Sequence, residues 1–387
     1  MREPAGGRLR VFLACSGLGV VRRGYESFMQ ACFTALRRDD AFDLRLFKGA
    51  GPRRDDEVPL RHLRRSSLGA RAIGDVLGRG PYVIEQLTFT TALLPHLARV
   101  RPHLVYFCDP AIGKMLWQWR RFTGNTFGLL FQNSGPLDPP FSWCDHVQQV
   151  TPMGVDDALA AGHAPGRQTL LPCGLDLGPI APPLEPADRA VRRGRLGLPV
   201  DRPIVLSVGA INRGHKRMDY LINEIASLGD QRPFLLMLGH VEDDTPTLRA
   251  LATLRLGAAG FRMASVSHYQ IGEYYRIADL FVLASLREGF GLAYVEAIAH
   301  GLRCVGHEFP VARYVMGDDG NYADLRRSGA LGPLVRDLLV QPDPDAERER
   351  RQLAVRRRFD WGQLAPQYTA LFRHAAVAAA KGALVPC

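Results

Sequence analysis

The sequence predicts an α/β protein with two parallel-sheet domains. Short apolar segments alternate with helix-like segments along most of the 387 residues, and this alternation is typical of parallel sheets with right-handed helical crossovers. A proline-rich break at 179–186 interrupts it, because prolines at that density continue neither a helix nor a strand. The alternation then begins again, which indicates a second domain of the same class.

The elements follow in order from these apolar runs. Strands of the first domain are predicted at 9–15, 43–47, 103–107, 127–132, 146–150 and 169–171. Its clearest helices are expected at 24–37, after a glycine-containing turn, and at 83–100. Strands of the second domain are predicted at 203–209, 234–239, 261–264, 280–284 and 303–306, with a helix at 217–228.

Composition limits the class of protein. Hydrophobic residues make up 47% of the chain and charged residues 23%, which predicts packed cores and argues against bulk disorder. The net charge is +10, which favours an anionic partner or, alternatively, reflects an arginine-rich solvated surface. The arginine-rich stretch 53–79 lacks interleaved aromatic residues, so we expect no nucleic-acid partner. Peripheral membrane contact through this stretch stays open.

Cysteine usage indicates a reducing compartment. The seven cysteines are widely spaced and form no C-x-x-C pair, which argues against a zinc site and a secreted disulfide framework. Cys15 and Cys304 lie in apolar runs and are expected to be small core residues. The apolar run 11–15 is too short for a signal peptide or a membrane span. We therefore expect a cytoplasmic protein, with a peripheral position at the inner membrane face as the alternative.

The stretch 287–296 carries the strongest functional signal. Glu288 and Glu296 are eight positions apart, and a Gly-Phe-Gly turn separates a predicted strand from a predicted helix. A helix amino terminus suits a phosphate, and Gly289 and Gly291 allow the backbone to approach it closely. Glu296 lies about 6–7.5 Å along the helix at 1.5 Å per residue. A nucleotide-sugar fits this spacing, with its diphosphate at the turn, its sugar at Glu288 and its ribose at Glu296.

These residues carry a family resemblance. Glu288-Gly289-Phe290-Gly291-Leu292, followed by Glu296-Ala297-Ile298-Ala299-His300-Gly301, resembles the E-x7-E signature of retaining glycosyltransferases of family 4. The resemblance implies the GT-B fold, which is two Rossmann-like parallel-sheet domains facing an interdomain cleft. It assigns 1–180 to the acceptor side and 187–360 to the nucleotide-sugar. A C-terminal helix at 361–375 is expected to pack back on the first domain.

The resemblance also implies which residues form the site. It assigns catalytic roles to Glu288, Lys216 and Arg213. Arg213 is the weaker match, because the family arginine directly follows the glycine and Ala210 stands there. The implied donor-binding residues are Gly289, Phe290, Gly291, Leu292, Glu296, Gly209, Gly239, His240, Gly17 and Gly19.

The acceptor side departs from the family pattern. Asn133 or Gln132 stands where many members have a histidine, and an amide cannot act as a general base. Asn133 is therefore our acceptor-side candidate. The single D-x-D motif, at 343–345, lies in a proline-rich loop and is interpreted as a surface turn. We expect no metal and no cofactor.

The implied function is a retaining, metal-independent, hexosyltransferase-like enzyme. It would transfer a sugar from a nucleoside-diphosphate sugar to an acceptor hydroxyl on a glycan, a lipid-linked sugar or a natural product. Two alternatives stay open. One is a nucleotide-sugar epimerase or hydrolase on the same fold. The other is a non-catalytic sugar-nucleotide-binding paralogue, which the missing histidine favours.

Overall fold

The computed structural model describes residues 7–21, 23–135 and 139–382, which form two compact units. Unit 1 contains the chain up to Leu175 and the segment from Trp361 onward, and unit 2 contains Asp176–Asp360. Each unit has one sheet in which all strands run parallel. The predicted α/β class with two Rossmann-like parallel sheets is therefore confirmed.

Unit 1 is built on seven strands in the order β3-β2-β1-β4-β5-β6-β7. The central strands are buried along their whole length, because helices cover both faces of a parallel sheet. In register, Leu13 lies opposite Leu46 on one side and Tyr106 on the other. The strands are β1 (Leu9–Cys15), β2 (Phe42–Lys48), β3 (Glu57–Pro59), β4 (Leu104–Phe107), β5 (Gly128–Asn133), β6 (His146–Gln149) and β7 (Gln168–Leu170).

Five helices of unit 1 lie between these strands. Phe89, Leu93 and Leu97 of the third helix join the core of the sheet with Phe107 and Phe131. A 3-10 turn at Pro165–Arg167 precedes β7. The helices are α1 (Gly24–Leu36), α2 (Leu68–Leu77), α3 (Pro81–Val100), α4 (Pro110–Thr123) and α5 (Pro152–Ala160).

Unit 2 is built on six strands in the order β10-β9-β8-β11-β12-β13. Val205, Leu235 and Val282 of its central strands lie in one buried apolar cluster with the helices. The strands are β8 (Ile204–Val208), β9 (Phe234–Leu238), β10 (Phe261–Ala264), β11 (Leu280–Leu283), β12 (Cys304–His307) and β13 (Gly320–Ala323). The helices are α6 (Pro186–Arg195), α7 (Met218–Ala226), α8 (Thr245–Leu256), α9 (His268–Ile277), α10 (Leu292–Ala299), α11 (Pro310–Met316), α12 (Leu331–Val340) and α13 (Asp345–Phe359).

The final helix, α14 (Trp361–Gly382), packs on unit 1. The backbone N–H of Trp361 donates to the Leu175 carbonyl at 3.1 Å. The hydroxyl of Tyr368 donates to the Pro172 carbonyl and accepts from the amide of Gln148, both at 2.8 Å. Because these polar atoms are satisfied inside a buried interface, the helix has one defined position on the sheet.

Several elements were not anticipated from the sequence. β3 and α2 lie within the arginine-rich stretch, α6 begins where the proline-rich break ends, and β13 is an additional edge strand. Within the described range, no helix is both long and apolar enough to cross a membrane. Cys15 and Cys304 are buried core residues as predicted, and Cys387 lies outside the described residues.

A buried ion pair fixes the edge of the unit 1 sheet. The Lys48 ammonium contacts the Glu57 carboxylate where β2 meets β3, and both side chains are buried. Burial acts to raise the pKa of Glu57, but the hydrogen bond and charge of Lys48, assisted by Arg54, lower it below its usual value. The carboxylate form is therefore favoured by folding.

Replacing Glu57→Gln is expected to lower the free energy of unfolding by about 3 kcal/mol, because the Lys48 charge stays buried without its partner. Glu347→Gln, at an exposed pair with Arg350, is the control and should change it by less than about 1 kcal/mol. Urea unfolding measures both. Because folding lowers the pKa of Glu57, the difference in free energy of unfolding between wild type and Glu57→Gln should shrink as the pH falls below about 4.3. A difference that does not change with pH would contradict the ion pair between Lys48 and Glu57.

Candidate functional site

The site of unit 2 lies where the strand order of its sheet reverses direction. β8 and β11 are neighbours, but the chain leaves β8 toward β9 on one side and leaves β11 toward β12 on the other. Loops at the carboxyl ends of such strands diverge and leave a crevice in which α/β proteins bind ligands. Lys216 lies on the loop after β8, and Glu288 lies on the loop after β11.

Lys216 and Glu288 form an ion pair across this crevice. The Lys216 Nζ atom is 2.5 Å from Glu288 Oε1, and the two side chains are 14% and 8% exposed. His215 adds a second contact between the loops, because its Nε2 atom is 2.9 Å from the Arg287 carbonyl and 3.8 Å from Glu288 Oε2. Two of the three predicted catalytic residues are therefore in direct contact, although 72 positions separate them in the chain.

Three of the predicted donor-binding glycines allow this contact. A Cβ atom on Gly209 would lie 2.8 Å from Cε of Lys216, so the lysine side chain passes directly over the glycine backbone. A Cβ atom on Gly239 would clash with the Gly209 carbonyl oxygen. On the other loop, a Cβ atom on Gly291 would approach the Tyr294 ring at 2.8 Å and Glu288 Cβ at 3.9 Å. The glycines let backbone and side chains approach more closely than any other residue would permit.

The amino end of α10 borders the same pair. Gly291 precedes Leu292, the first residue of the helix, with a φ of 86°, in the left-handed region that favours glycine. Within the residues that the structure describes, no side chain caps this helix end, so its N–H groups and partial positive charge face the crevice. Phe290 is buried with its ring perpendicular to Phe359 at 5.4 Å, which anchors the turn that also contains Gly289.

Glu296 lies in the second turn of α10 and is held by the preceding helix. The Tyr275 hydroxyl donates to Glu296 Oε2 at 2.8 Å. Burial, together with the Glu296 charge, raises the pKa of Tyr275 far above its usual value, so the hydroxyl remains a donor. His300 stacks on the Tyr275 ring at 5.2 Å and contacts the Glu296 carbonyl through Nδ1 at 2.8 Å. This contact was not anticipated from the sequence.

Asn212 orders the loop that carries Lys216. Its Oδ1 atom accepts from the Lys216 backbone N–H at 2.8 Å, and its side-chain amide donates to Glu242 at 2.9 Å. Sequence reasoning missed Asn212, although asparagine beside a glycine-containing turn is a recognisable signal for such a bond. The loop conformation therefore depends on an amide rather than on the cations around it.

The other two loop candidates lie apart from the pair. The guanidinium of Arg213 faces Asp219, with 3.7 Å between Nε and Oδ2, and the side chain is exposed. His240 is exposed, and its carbonyl accepts from the Ile211 backbone N–H at 2.8 Å. Gly239 therefore packs against Gly209 beneath the Lys216–Glu288 pair, whereas the Arg213 guanidinium is directed to Asp219.

The candidates in unit 1 belong to strand ends of the other sheet. Gly17 and Gly19 form the turn after β1. A Cβ atom on Gly17 would clash with the Glu26 side chain, and a Cβ atom on Gly19 would clash with the Ala50 carbonyl oxygen. Asn133 ends β5, and its amide donates to Gln149 at 2.9 Å. Its Oδ1 atom is buried without a hydrogen-bond partner among the described residues.

A buried polar cluster at the same strand ends was not predicted. Ser16 follows β1, and its hydroxyl lies 3.3 Å from Asp109 and 3.4 Å from Glu85. Tyr82 donates to Asp109, and Arg65 pairs with Glu85 at 2.5 Å. Burial raises the pKa of Asp109, which the Tyr82 hydrogen bond opposes. The only available sequence signal was a polar residue at the end of a buried strand, with Ser16 directly after β1 and Asp109 two residues after β4.

Neither site gathers the ligands of a metal. Within the described residues, no group of three or more His, Cys, Asp or Glu side chains is placed to hold an ion.

A family model matches the part of the chain that contains this site. Residues 188–350, which include Lys216, Glu288 and Glu296, match the family model described as glycosyl transferases group 1. The matched segment lies within unit 2.

Curated relatives of this group cover only part of the chain. The chain is 31% identical to D-inositol 3-phosphate glycosyltransferase of Xylanimonas cellulosilytica over 51% of this chain and 49% of that protein. The chain is 30% identical to the enzyme of the same name from Geodermatophilus obscurus, over 58% of this chain and 52% of that protein. The chain spans about half the length of the curated relatives it matches.

Solved structures match nearly the whole chain in fold. Sucrose-phosphate synthase of Thermosynechococcus elongatus superposes with a TM-score of 0.78 at 18% identity, covering 96% of this chain and all of that one. Anabaena HepE, solved in complex with UDP-glucose, superposes with a TM-score of 0.72 at 13% identity, covering 95% of this chain and all of that one. These neighbours confirm the predicted GT-B class of fold.

Gly239→Ala is expected to destabilise the protein by about 3 kcal/mol or more, because the new methyl group meets the Gly209 backbone, which cannot move aside cheaply. Gly214→Ala is the matched control on the neighbouring loop after β8, since a Cβ atom there would enter open space. It should change stability by less than about 1 kcal/mol. Thermal unfolding of the two variants tests the packing. Equal melting temperatures would show that the two glycine backbones are not in contact.

Proposed function

We propose that the protein is a retaining, metal-independent glycosyltransferase that uses a nucleoside-diphosphate sugar. The single observation that carries the proposal is the Lys216–Glu288 pair beside the uncapped amino end of α10. A cation, a set of backbone N–H groups and a carboxylate meet there. A nucleotide-sugar presents a diphosphate for the cation and the N–H groups, and a hydroxylated ring for the carboxylate.

The diphosphate is placed on Lys216 and the amino end of α10. Both supply fixed positive potential, which stabilises the charge that accumulates on a departing diphosphate without a metal ion. The ammonium has three N–H donors, so it can contact a phosphate oxygen while its pair with Glu288 loosens, and the carboxylate then faces the sugar. Glu296, held by Tyr275, is assigned to the ribose hydroxyls.

The proposed reaction proceeds on one face of the sugar. The bond between the anomeric carbon and the diphosphate oxygen breaks, and its electron pair goes to the diphosphate. The acceptor oxygen forms the new bond from the same side, and its proton passes to the departing phosphate oxygen. Glu288 stabilises the positive charge that develops on the sugar ring. Acceptor binding is assigned to the polar strand ends of unit 1, including Asn133.

The structural neighbours support a uracil nucleotide as the first donor to test. HepE has been solved with UDP, with UDP and glucose, and with UDP-glucose. The names of the sequence relatives suggest inositol 3-phosphate as one member of an acceptor panel.

Lys216→Met should weaken nucleotide binding, whereas Glu288→Gln should not. Without the ammonium, UDP is expected to bind about tenfold to a hundredfold more weakly, because a charge-assisted contact contributes about 1.5–3 kcal/mol. Glu288→Gln should keep UDP affinity or increase it, because the carboxylate no longer competes for Lys216. Thermal shift is the readout, since UDP at about 100 times its Kd adds about 2.7 kcal/mol. Lys114→Met, at an exposed lysine, is the control and should match wild type.

The same variants separate donor binding from transfer. Glu288→Gln should reduce transfer from UDP-glucose by about a hundredfold or more while UDP still binds. Product stereochemistry by NMR tests retention, and an excess of a chelator tests metal independence. Full activity in Glu288→Gln would overturn the proposal. Rapid consumption of the donor without any acceptor would instead identify an epimerase or hydrolase.

A further inference from the structure

Helix α2 of unit 1 has its large apolar side chains on the outside. Its buried residues are Ala70 and Gly74, one turn apart, and a Cβ atom on Gly74 would lie 2.5 Å from the Arg79 carbonyl oxygen. Leu68 is 82% exposed, Val76 85%, Leu77 58% and Ile73 41%. Small residues therefore face the protein, whereas an ordinary surface helix buries its large apolar residues.

The exposed apolar residues form one continuous stripe. At 100° per residue, Leu68, Val76, Ile73 and Leu77 fall within about half of the helix circumference, and Arg71 and Asp75 fall on the other half. We call these four apolar residues the α2 stripe. Single exposed apolar residues need no explanation, but a clustered set marks an interaction surface.

The helix is well defined at both ends. The Ser67 side chain accepts from the Ala70 backbone N–H at 3.2 Å, which caps the amino end. Gly78 ends the helix with a φ of 60° in the left-handed conformation. The stripe is therefore presented by an element whose orientation is set by its caps and by its contact with α3.

Exposed arginines surround the α2 stripe. Arg61 and Arg64 precede the helix, Arg71 lies on it, and Arg79 follows it. Arg65 is different, because it turns inward to Glu85. Asp75 is the one acidic residue on the helix. An apolar stripe flanked by guanidinium groups matches a surface that offers hydrocarbon below a layer of negative charge.

A bilayer with anionic lipids fits this surface better than a second copy of the chain does. A ten-residue helix is about 15 Å long and about 10 Å wide, far less than the roughly 800 Å² per partner of a standard protein interface. A two-fold dimer through α2 would also place the same arginines against each other. A bilayer accepts a helix of this size, since apolar burial and attraction to anionic headgroups act together.

We infer that α2 is a docking element that places unit 1 on a membrane surface containing anionic lipid. Leu68, Ile73, Val76 and Leu77 enter the boundary between headgroups and acyl chains, and Arg61, Arg64, Arg71 and Arg79 contact lipid phosphates. The inference does not depend on the proposed glycosyl transfer, because its residues and its measurement are separate from the site in unit 2.

Vesicle co-sedimentation of the full chain tests the inference. We expect binding to phosphatidylcholine vesicles that contain about one-third phosphatidylglycerol, and little binding to pure phosphatidylcholine. Raising the salt from about 0.1 M to about 1 M should weaken binding, because the Debye length falls from about 10 Å to about 3 Å. Leu68→Gln with Val76→Gln should weaken binding by about tenfold or more. Arg64→Gln and Arg71→Gln should each weaken it by about fivefold.

A matched control uses apolar residues that are equally exposed elsewhere. Leu254 and Val340 of unit 2 are 81% and 77% exposed, and Leu254→Gln with Val340→Gln should bind vesicles like wild type. Thermal unfolding should be unchanged in all variants, since exposed substitutions rarely alter stability by more than about 0.5 kcal/mol. The inference is overturned if wild type ignores anionic vesicles, or if the control loses binding equally. It is also overturned if the α2 substitutions only convert a dimer to a monomer in sedimentation velocity.

Discussion

The contact between Lys216 and Glu288 depends on the adjacency of two parallel strands. Because β8 and β11 are neighbours, the loops that leave their carboxyl ends start side by side. A carboxylate that is only 8% exposed is costly without a partner cation, and Lys216 supplies one by lying across Gly209. Gly209 in turn accommodates the lysine only because it has no side chain. The sheet order, the glycines and the ion pair therefore form one interdependent arrangement.

The ion pair also determines the local charge at the amino end of α10. A lysine beside a helix amino terminus would leave uncompensated positive potential, and Glu288 neutralises it. In the proposed function, a diphosphate takes over part of this neutralisation by contacting the Lys216 ammonium. The carboxylate that neutralises the lysine in this structure is then the group proposed to face the sugar.

The sequence separation of the residues in contact determines which parts of the fold and the site could be predicted. The turn from Glu288 to Glu296 is local, and its glycines and apolar runs were sufficient to predict a strand, a turn and a helix beginning at Leu292. The contact with Lys216 required a family resemblance, because it joins loops 72 positions apart. The Ser16 cluster joins residues 69 and 93 positions apart, and its only local signal was a polar residue at the end of a buried strand. For α2, the sequence carries the apolar stripe but not which face is turned inward, which depends on the fit of Ala70 and Gly74 against the neighbouring chain.

The two units place different chemistry at equivalent points of their sheets. In unit 1 the strand order also reverses between neighbours, β1 and β4. Ser16 directly follows β1, and Asp109 lies two residues after β4. Their surroundings are carboxyl, hydroxyl and amide groups, with Arg65 already paired to Glu85 and Arg23 to Glu26. Such groups suit uncharged hydroxyls, which both donate and accept, better than they suit a diphosphate. Unit 2 instead offers an ammonium and a helix amino end. The opposite electrostatic character of the two strand-end sites is therefore the physical reason to assign the anionic donor to unit 2 and a hydroxyl-bearing acceptor to unit 1.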